Sequence, residues 1–198
     1  MSDDRLLPCL KPADWDGAPT CVGRRFTVGD LESEHLPWLA FGYDRPHAFE
    51  FLSREALGVL DRSEEEAEAE AFDNLRARTA SWERTSLKLG EETELDLLVA
   101  IDDYFSAEKM LDVAFMSEGG KLLETDALAV GIPCRGVLMA TRGKQDMELL
   151  GAFAAAVSAQ FHHPNSPPIT PAVFALFHGE VVGMLQGGED LGRGVRES

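Results

Sequence analysis

The sequence predicts an α+β fold: a mostly antiparallel sheet of hairpins with two long helices packed on one face. Three observations predict it. Short apolar segments with strand-like alternation recur in neighbouring pairs separated by turn residues. Two longer segments repeat apolar residues at spacings of three and four, the period of a helix. Strands and helices do not alternate regularly, so the βαβ order of a parallel sheet is missing. The chain has 198 residues, 44% apolar and 27% charged, which is the balance of a globular protein. A chain of that length buries about 70% of its unfolded surface, so it needs no staples.

Residues 1–45 read as a loop-rich N-terminal segment packed on the core, because Pro8, Pro12, Pro19, Pro37 and Pro46 interrupt any helix. One short strand is expected at Arg24 to Val28, and the apolar run Glu34 to Phe41 packs on the main core. Residues 46–186 read as a single α+β domain. Ser53 caps a short helix through Leu60, and Ser63-Glu64-Glu65-Glu66 opens the first long helix with a capping box. Ala67, Ala71, Leu75, Arg78 and Trp82 continue its stripe. Its acidic run, Glu64 to Glu70, reads as a solvated helix face rather than a site.

Two strands follow, Thr85 to Leu89 and Glu94 to Ile101, joined by Gly90-Glu91-Glu92-Thr93. Ser106 caps a short helix through Val113, and Gly119-Gly120 breaks the chain. Ala127 to Ile132 and Val137 to Thr141 form strands around the turn Pro133-Cys134-Arg135-Gly136. Gln145 to Phe161 is the second long helix, with Leu150, Ala154, Val157 and Phe161 expected in the core. A last hairpin pairs Val173 to Phe177 with Val181 to Leu185 across His178-Gly179-Glu180. Residues 187–198, rich in glycine, read as a flexible tail.

Composition narrows the partners. Eighteen Lys and Arg against 35 Asp and Glu give a net charge of −17, which repels phosphate backbones and anionic lipid. The bias is uneven: residues 1–102 hold 23 acids and 11 bases, the remainder 12 and 7. No nucleic-acid partner, no membrane partner and no cofactor are therefore expected, and the sequence sets no oligomeric state. The acidic start lacks the basic, apolar pattern of a signal peptide. Three cysteines, Cys9, Cys21 and Cys134, are an odd number without CxxC spacing; free thiols in a cytoplasmic protein are the preferred reading, and a Cys9–Cys21 disulfide is the alternative.

Three stretches between Phe51 and Leu185 carry a resemblance. The helix Ser63 to Ala67 ending in Ala71-Phe72-Asp73-Asn74-Leu75 is similar to an "EEL…A…NL" pattern. Asp126-Ala127-Leu128-Ala129-Val130-Gly131-Ile132-Pro133-Cys134-Arg135 is similar to "D-L-x-V-x-x-P-x-R-D", with Gly136 where the pattern has its last Asp. Pro168-Ile169-Thr170-Pro171-Ala172-Val173-Phe174, followed by His178-Gly179, is similar to "P-I-S-P-x-L-F … G". These are patterns of the bacterial family of unknown function typified by the YtpQ-type proteins. The resemblance implies a cytoplasmic bacterial α+β protein and lends no activity.

Cys134 and Arg135 are the candidate catalytic residues, because a thiol beside a guanidinium can become a nucleophile if a histidine base reaches it. The preferred reading keeps Arg135 structural, tied to a carboxylate, with Cys134 as a small filler. His162-His163 reads as a helix cap, since adjacent residues point apart. His35, His47 and His178 read as loop or turn residues. Asp102-Asp103 reads as a solvated strand end, and Gly119-Gly120-Lys121 lacks the remainder of a phosphate loop. No set of ligands at metal spacing is present.

The sequence therefore points to a non-enzymatic protein-interaction module, an adaptor, chaperone-like or immunity-type protein that meets a basic partner. The alternative is a small hydrolase or thiol-dependent enzyme using Cys134 and Arg135. A small-ligand binder with a pocket between sheet and helices is the third reading.

Overall fold

The structure is a computed structural model, and it describes residues 5–45, 47–89, 93–101, 104–164 and 166–185. The chain forms two compact units, Met1–Thr27 with Glu32–Thr79, and Val28–Leu31 with Ala80–Ser198. The first unit joins strands from residues 1–45 with a strand and helices from the residues that follow. The expected tail, 187–198, lies outside the described residues.

In the first unit, β1 (Leu6–Lys11), β2 (Gly23–Arg25), β3 (Trp38–Asp44) and β4 (Phe49–Phe51) make an antiparallel sheet in which β3 pairs all three others. The expected loop is thus strands, despite Pro8 within β1. Pro8 lies opposite Phe41, whose N–H and C=O turn instead to Val22 and Leu52. Pro8 therefore occupies a site of the ladder where no donor is needed, on an edge strand, where proline is tolerated.

Ser53 caps the short helix α1 (Arg54–Val59) by accepting from the Ala56 N–H. The capping box of Ser63 and Glu66 opens α2 (Glu64–Ala77) as expected. Ala67, Ala71 and Leu75 are fully buried, and the two alanines let the helix approach β1 closely. Phe72 meets Phe41 edge-on at 6.3 Å, and Asn74 Nδ2 donates to the Leu6 carbonyl at 3.0 Å. The helix stops at Arg78, which is extended, so Trp82 belongs to a strand and not to the helical stripe.

The second unit holds β5 (Ser81–Lys88), β6 (Glu94–Ile101), β7 (Ala127–Gly131), β8 (Met139–Arg142), β9 (Val173–Phe177) and β10 (Glu180–Leu185). They form one six-stranded antiparallel sheet in the order β10-β9-β7-β8-β6-β5. The loop Gly90 to Glu92 lies outside the described residues. Helix α4 (Met147–Phe161) covers one face, where Phe153 and Val157 pack on Leu95, Leu97, Ala129, Met139 and Val173. Of the expected core stripe, Val157 is buried while Leu150, Ala154 and Phe161 are half-buried; Phe153 takes the central place.

Helix α3 (Val113–Leu122) covers the other face. Trp82 lies opposite Ala100, out of phase with Leu95 and Leu97, and stacks on Phe115 of α3 at 4.6 Å. Gly119 and Gly120 do not break the chain; they lie inside α3. A Cβ on Gly119 would come within 3.0 Å of the Trp82 ring, and one on Gly120 within 2.8 Å of the Thr125 carbonyl. The expected Ser106-capped helix is a 3-10 turn, Ala107–Leu111, with no side-chain cap from Ser106; Asp112 caps α3 instead, accepting from the Phe115 N–H.

The fold is therefore mixed α and β with antiparallel sheets. The single sheet with two long helices on one face is not what forms: α2 lies on the β1–β3 sheet and α4 on the six-stranded sheet, because each has its own apolar partner.

Candidate functional site

The turn holding Cys134 and Arg135 is fastened along its backbone to the segment 167–169. Arg135 N donates to the Pro167 carbonyl at 2.9 Å, Ile169 N to the Pro133 carbonyl at 2.8 Å, and Cys134 forms a β-bridge with Pro168. Gly136 follows at φ 75°, a conformation that glycine enters without cost. Two of the three stretches that carry the family resemblance thus meet here, and their strands β7 and β9 are paired.

Cys134 is fully buried. Burial pushes its thiol above the ordinary value, with a hydrogen bond to Ser166 pulling the other way. A raised thiol is protonated at neutral pH, the reverse of what activates a nucleophile.

Arg135 is buried too, and its guanidinium Nη1 donates to Oε1 of Glu108. Their side chains are 4% and 0% exposed. Tyr104 lies against the guanidinium, with 4.8 Å from its carbon to the ring centroid. Next to Glu108, Lys109 donates to Asp112 Oδ2 at 2.9 Å, and its ammonium lies 5.6 Å from the Phe115 ring. Four charged side chains are therefore gathered in the interior as two ion pairs. Glu108, Lys109 and Asp112 were missed by sequence reasoning. The available signal was a Glu-Lys pair embedded in the apolar run Phe105 to Leu111.

A second polar network stands at the end of α3. Arg84 grips Asp96 with two donors, at 2.9 and 2.6 Å, and Arg142 reaches the same carboxylate at 3.2 Å. Arg142 Nε also donates to the Leu123 carbonyl at 2.9 Å, a cation at the negative end of a helix. The Arg84 hydrogen bond holds the Asp96 carboxyl below its usual range, and Asp96 in turn raises Arg84.

An open cavity of about 330 Å³ lies beside α3, lined by Ser117, Lys121, Glu124, Asp126 and His178 among others. Ser117 Oγ donates to the His178 carbonyl, not to its ring. His178 Nδ1 is 3.8 Å from Asp126 with both side chains largely exposed, a loose pair in high dielectric. His178 and Gly179 both take positive φ, as a two-residue hairpin turn demands.

His162 ends α4 and places Nδ1 2.8 Å from the Ser158 carbonyl, the cap read from its position. Asp102 and Asp103 lie outside the described residues. The acidic face of α2 is partly neutralised: Arg24 meets Glu68, Arg54 meets Glu64 and Arg62 meets Glu70. Among the described residues no three His, Cys, Asp or Glu side chains are grouped to hold a metal, all three cysteines are thiols, and no helix is long and apolar enough to cross a membrane. No family model, curated protein or solved structure matches the chain.

Proposed function

We propose that the chain is a non-enzymatic protein-interaction module of the cytoplasm, an adaptor, chaperone-like or immunity-type protein whose partner is basic. The observation that carries this reading is a contrast of places. The two residues with catalytic promise, Cys134 and Arg135, are consumed by the interior, while the surface carries the charge of a chain at −17. A field of that sign speeds encounter with a cationic protein and repels nucleic acid. The hydrolase or thiol-enzyme alternative is disfavoured by the raised Cys134 thiol and by an arginine already bound to Glu108. Kinship with the YtpQ-type family is part of the proposal and is supported by the three similar stretches.

The test is capture from lysate on immobilised protein at low salt, with elution on a rising salt gradient. One predominant protein rich in Lys and Arg, released by salt, supports the reading. Failure to enrich any basic protein counts against it. The cavity beside α3 favours one further reading, a small-ligand binder, which a thermal-shift screen of metabolites checks.

A further inference from the structure

A cation is already held by aromatic rings in the first unit. Lys11, the last residue of β1, places Nζ 5.0 Å from the Phe51 ring centroid and 5.7 Å from that of Trp15. Trp15 and Phe51 are 4.7 Å apart and inclined at 45°, and Phe49 stands edge-on to Phe51 at 5.0 Å. The rings are half-buried, so each keeps an outer surface. Bare backbone lies against two of them. A Cβ on Gly17 would come within 2.2 Å of Trp15, and one on Gly42 within 2.5 Å of Phe49.

Register sets the location. Lys11 lies opposite Trp38, Phe51 opposite Gly42 and Phe49 opposite Asp44, all out of phase with Phe41, which meets α2. Phe49, Phe51 and Lys11 therefore share the face of the sheet turned away from α2, and Trp15 joins them there through its contact with Phe51. Carboxylates flank one of the rings along the chain, in Asp14-Trp15-Asp16, and both acids are exposed. Ring faces are negative and attract an ammonium, more strongly as water is displaced; nearby carboxylates add to the attraction at longer range.

We propose that Trp15, Phe49 and Phe51 form the receptor for a lysine side chain of the basic partner, and that Lys11 is an internal stand-in which swings out when that lysine enters. The proposal rests on the reading that the partner is basic. It is chosen over an arginine because the cation these rings hold is an ammonium on a flexible stem, which can leave without dismantling a planar fork. Lys11 competes from the same chain, so removing it should raise the apparent affinity for an external lysine.

The experiment titrates the full chain with a decalysine peptide at low salt, with fully acetylated decalysine as the uncharged control. Lys11→Gln should tighten binding about threefold or more, and by more than Lys88→Gln, which makes the same charge change on β5. Trp15→Leu should weaken binding about 3–10-fold while circular dichroism stays native. If Trp15→Leu does not fold, the comparison of Lys11→Gln with Lys88→Gln decides alone. Binding that is equal in the wild type, Lys11→Gln and Lys88→Gln overturns the site and leaves the basic-partner reading standing. No binding of decalysine to the wild type overturns that reading, and the site with it.

Discussion

Arg135 and Glu108 form an ion pair whose side chains are 4% and 0% exposed, across 27 positions of sequence. The pair ties the turn after β7 to the 3-10 turn before α3, and Tyr104 covers the guanidinium. Taking both charges out of water is costly, so the pair is not a net gain over a well-packed apolar substitute. Losing one partner is different, because the other charge is then buried alone. Arg135→Ala should cost about 3–5 kcal/mol in urea denaturation. Arg135→Lys should recover only part of that, since a compact ammonium on a different stem does not reproduce a planar guanidinium that meets both Glu108 and the Tyr104 ring. Unchanged stability in Arg135→Ala, with partner binding abolished, would mean that the arginine serves the surface and not the scaffold.

The thiols should differ in reactivity. Cys9 and Cys134 are buried while Cys21 is half-buried, and burial raises the Cys134 thiol. Titration of the native protein with a disulfide reagent should give one rapid equivalent, lost in Cys21→Ser. The other two should react only on unfolding. Rapid labelling of Cys134 in the native state would reopen the thiol-enzyme alternative.

Much of this architecture was legible where the signals are local. The capping box of α2, the cap of α1 and the hairpin turn at His178-Gly179 depend on residues within one turn of each other, and sequence carries such information directly. The misreadings share a different cause. Pro8 reads as part of a loop because what lets it sit in a strand, the outward-turned backbone of Phe41, is more than thirty residues away. Gly119-Gly120 reads as a break because the reasons for glycine, the Trp82 ring against Gly119 and the Thr125 carbonyl against Gly120, lie outside the helix. The position of Arg135 in a turn between apolar strands predicts a carboxylate partner, and it has one. That the acid is Glu108 follows from tertiary packing, which spacing does not encode.

Phe153, not Phe161, is the aromatic that holds α4 to its sheet, being fully buried where Phe161 is half-buried. Phe153→Ala should therefore cost about 3–5 kcal/mol, and Phe161→Ala clearly less. Equal losses in chemical denaturation would show that the helix is rotated from its described orientation.

Asp96 gives the protein an acid-side dependence. Its carboxyl titrates below its usual value because Arg84 and then Arg142 favour the charged form. Protons thus bind the unfolded chain more readily than the folded one, so the stabilisation is complete above about pH 4 and is lost as pH falls through the folded value. Asp96→Asn should flatten the fall of stability between about pH 4 and pH 2 and leave neutral-pH behaviour closer to a constant offset. An unchanged acid slope in this variant would place the sensitivity in other carboxylates.

The charge itself is the most direct handle on what the protein does. Calorimetric titration with decalysine and with decaglutamate, at ionic strengths of about 0.02 M and 0.3 M, separates a functional acidic surface from mere solubility, because the Debye length shrinks several-fold between them. The account predicts saturable binding of decalysine at low salt, a steep loss of affinity at high salt, and no binding of decaglutamate. Absence of saturable decalysine binding at low salt, or an affinity indifferent to salt, would contradict it.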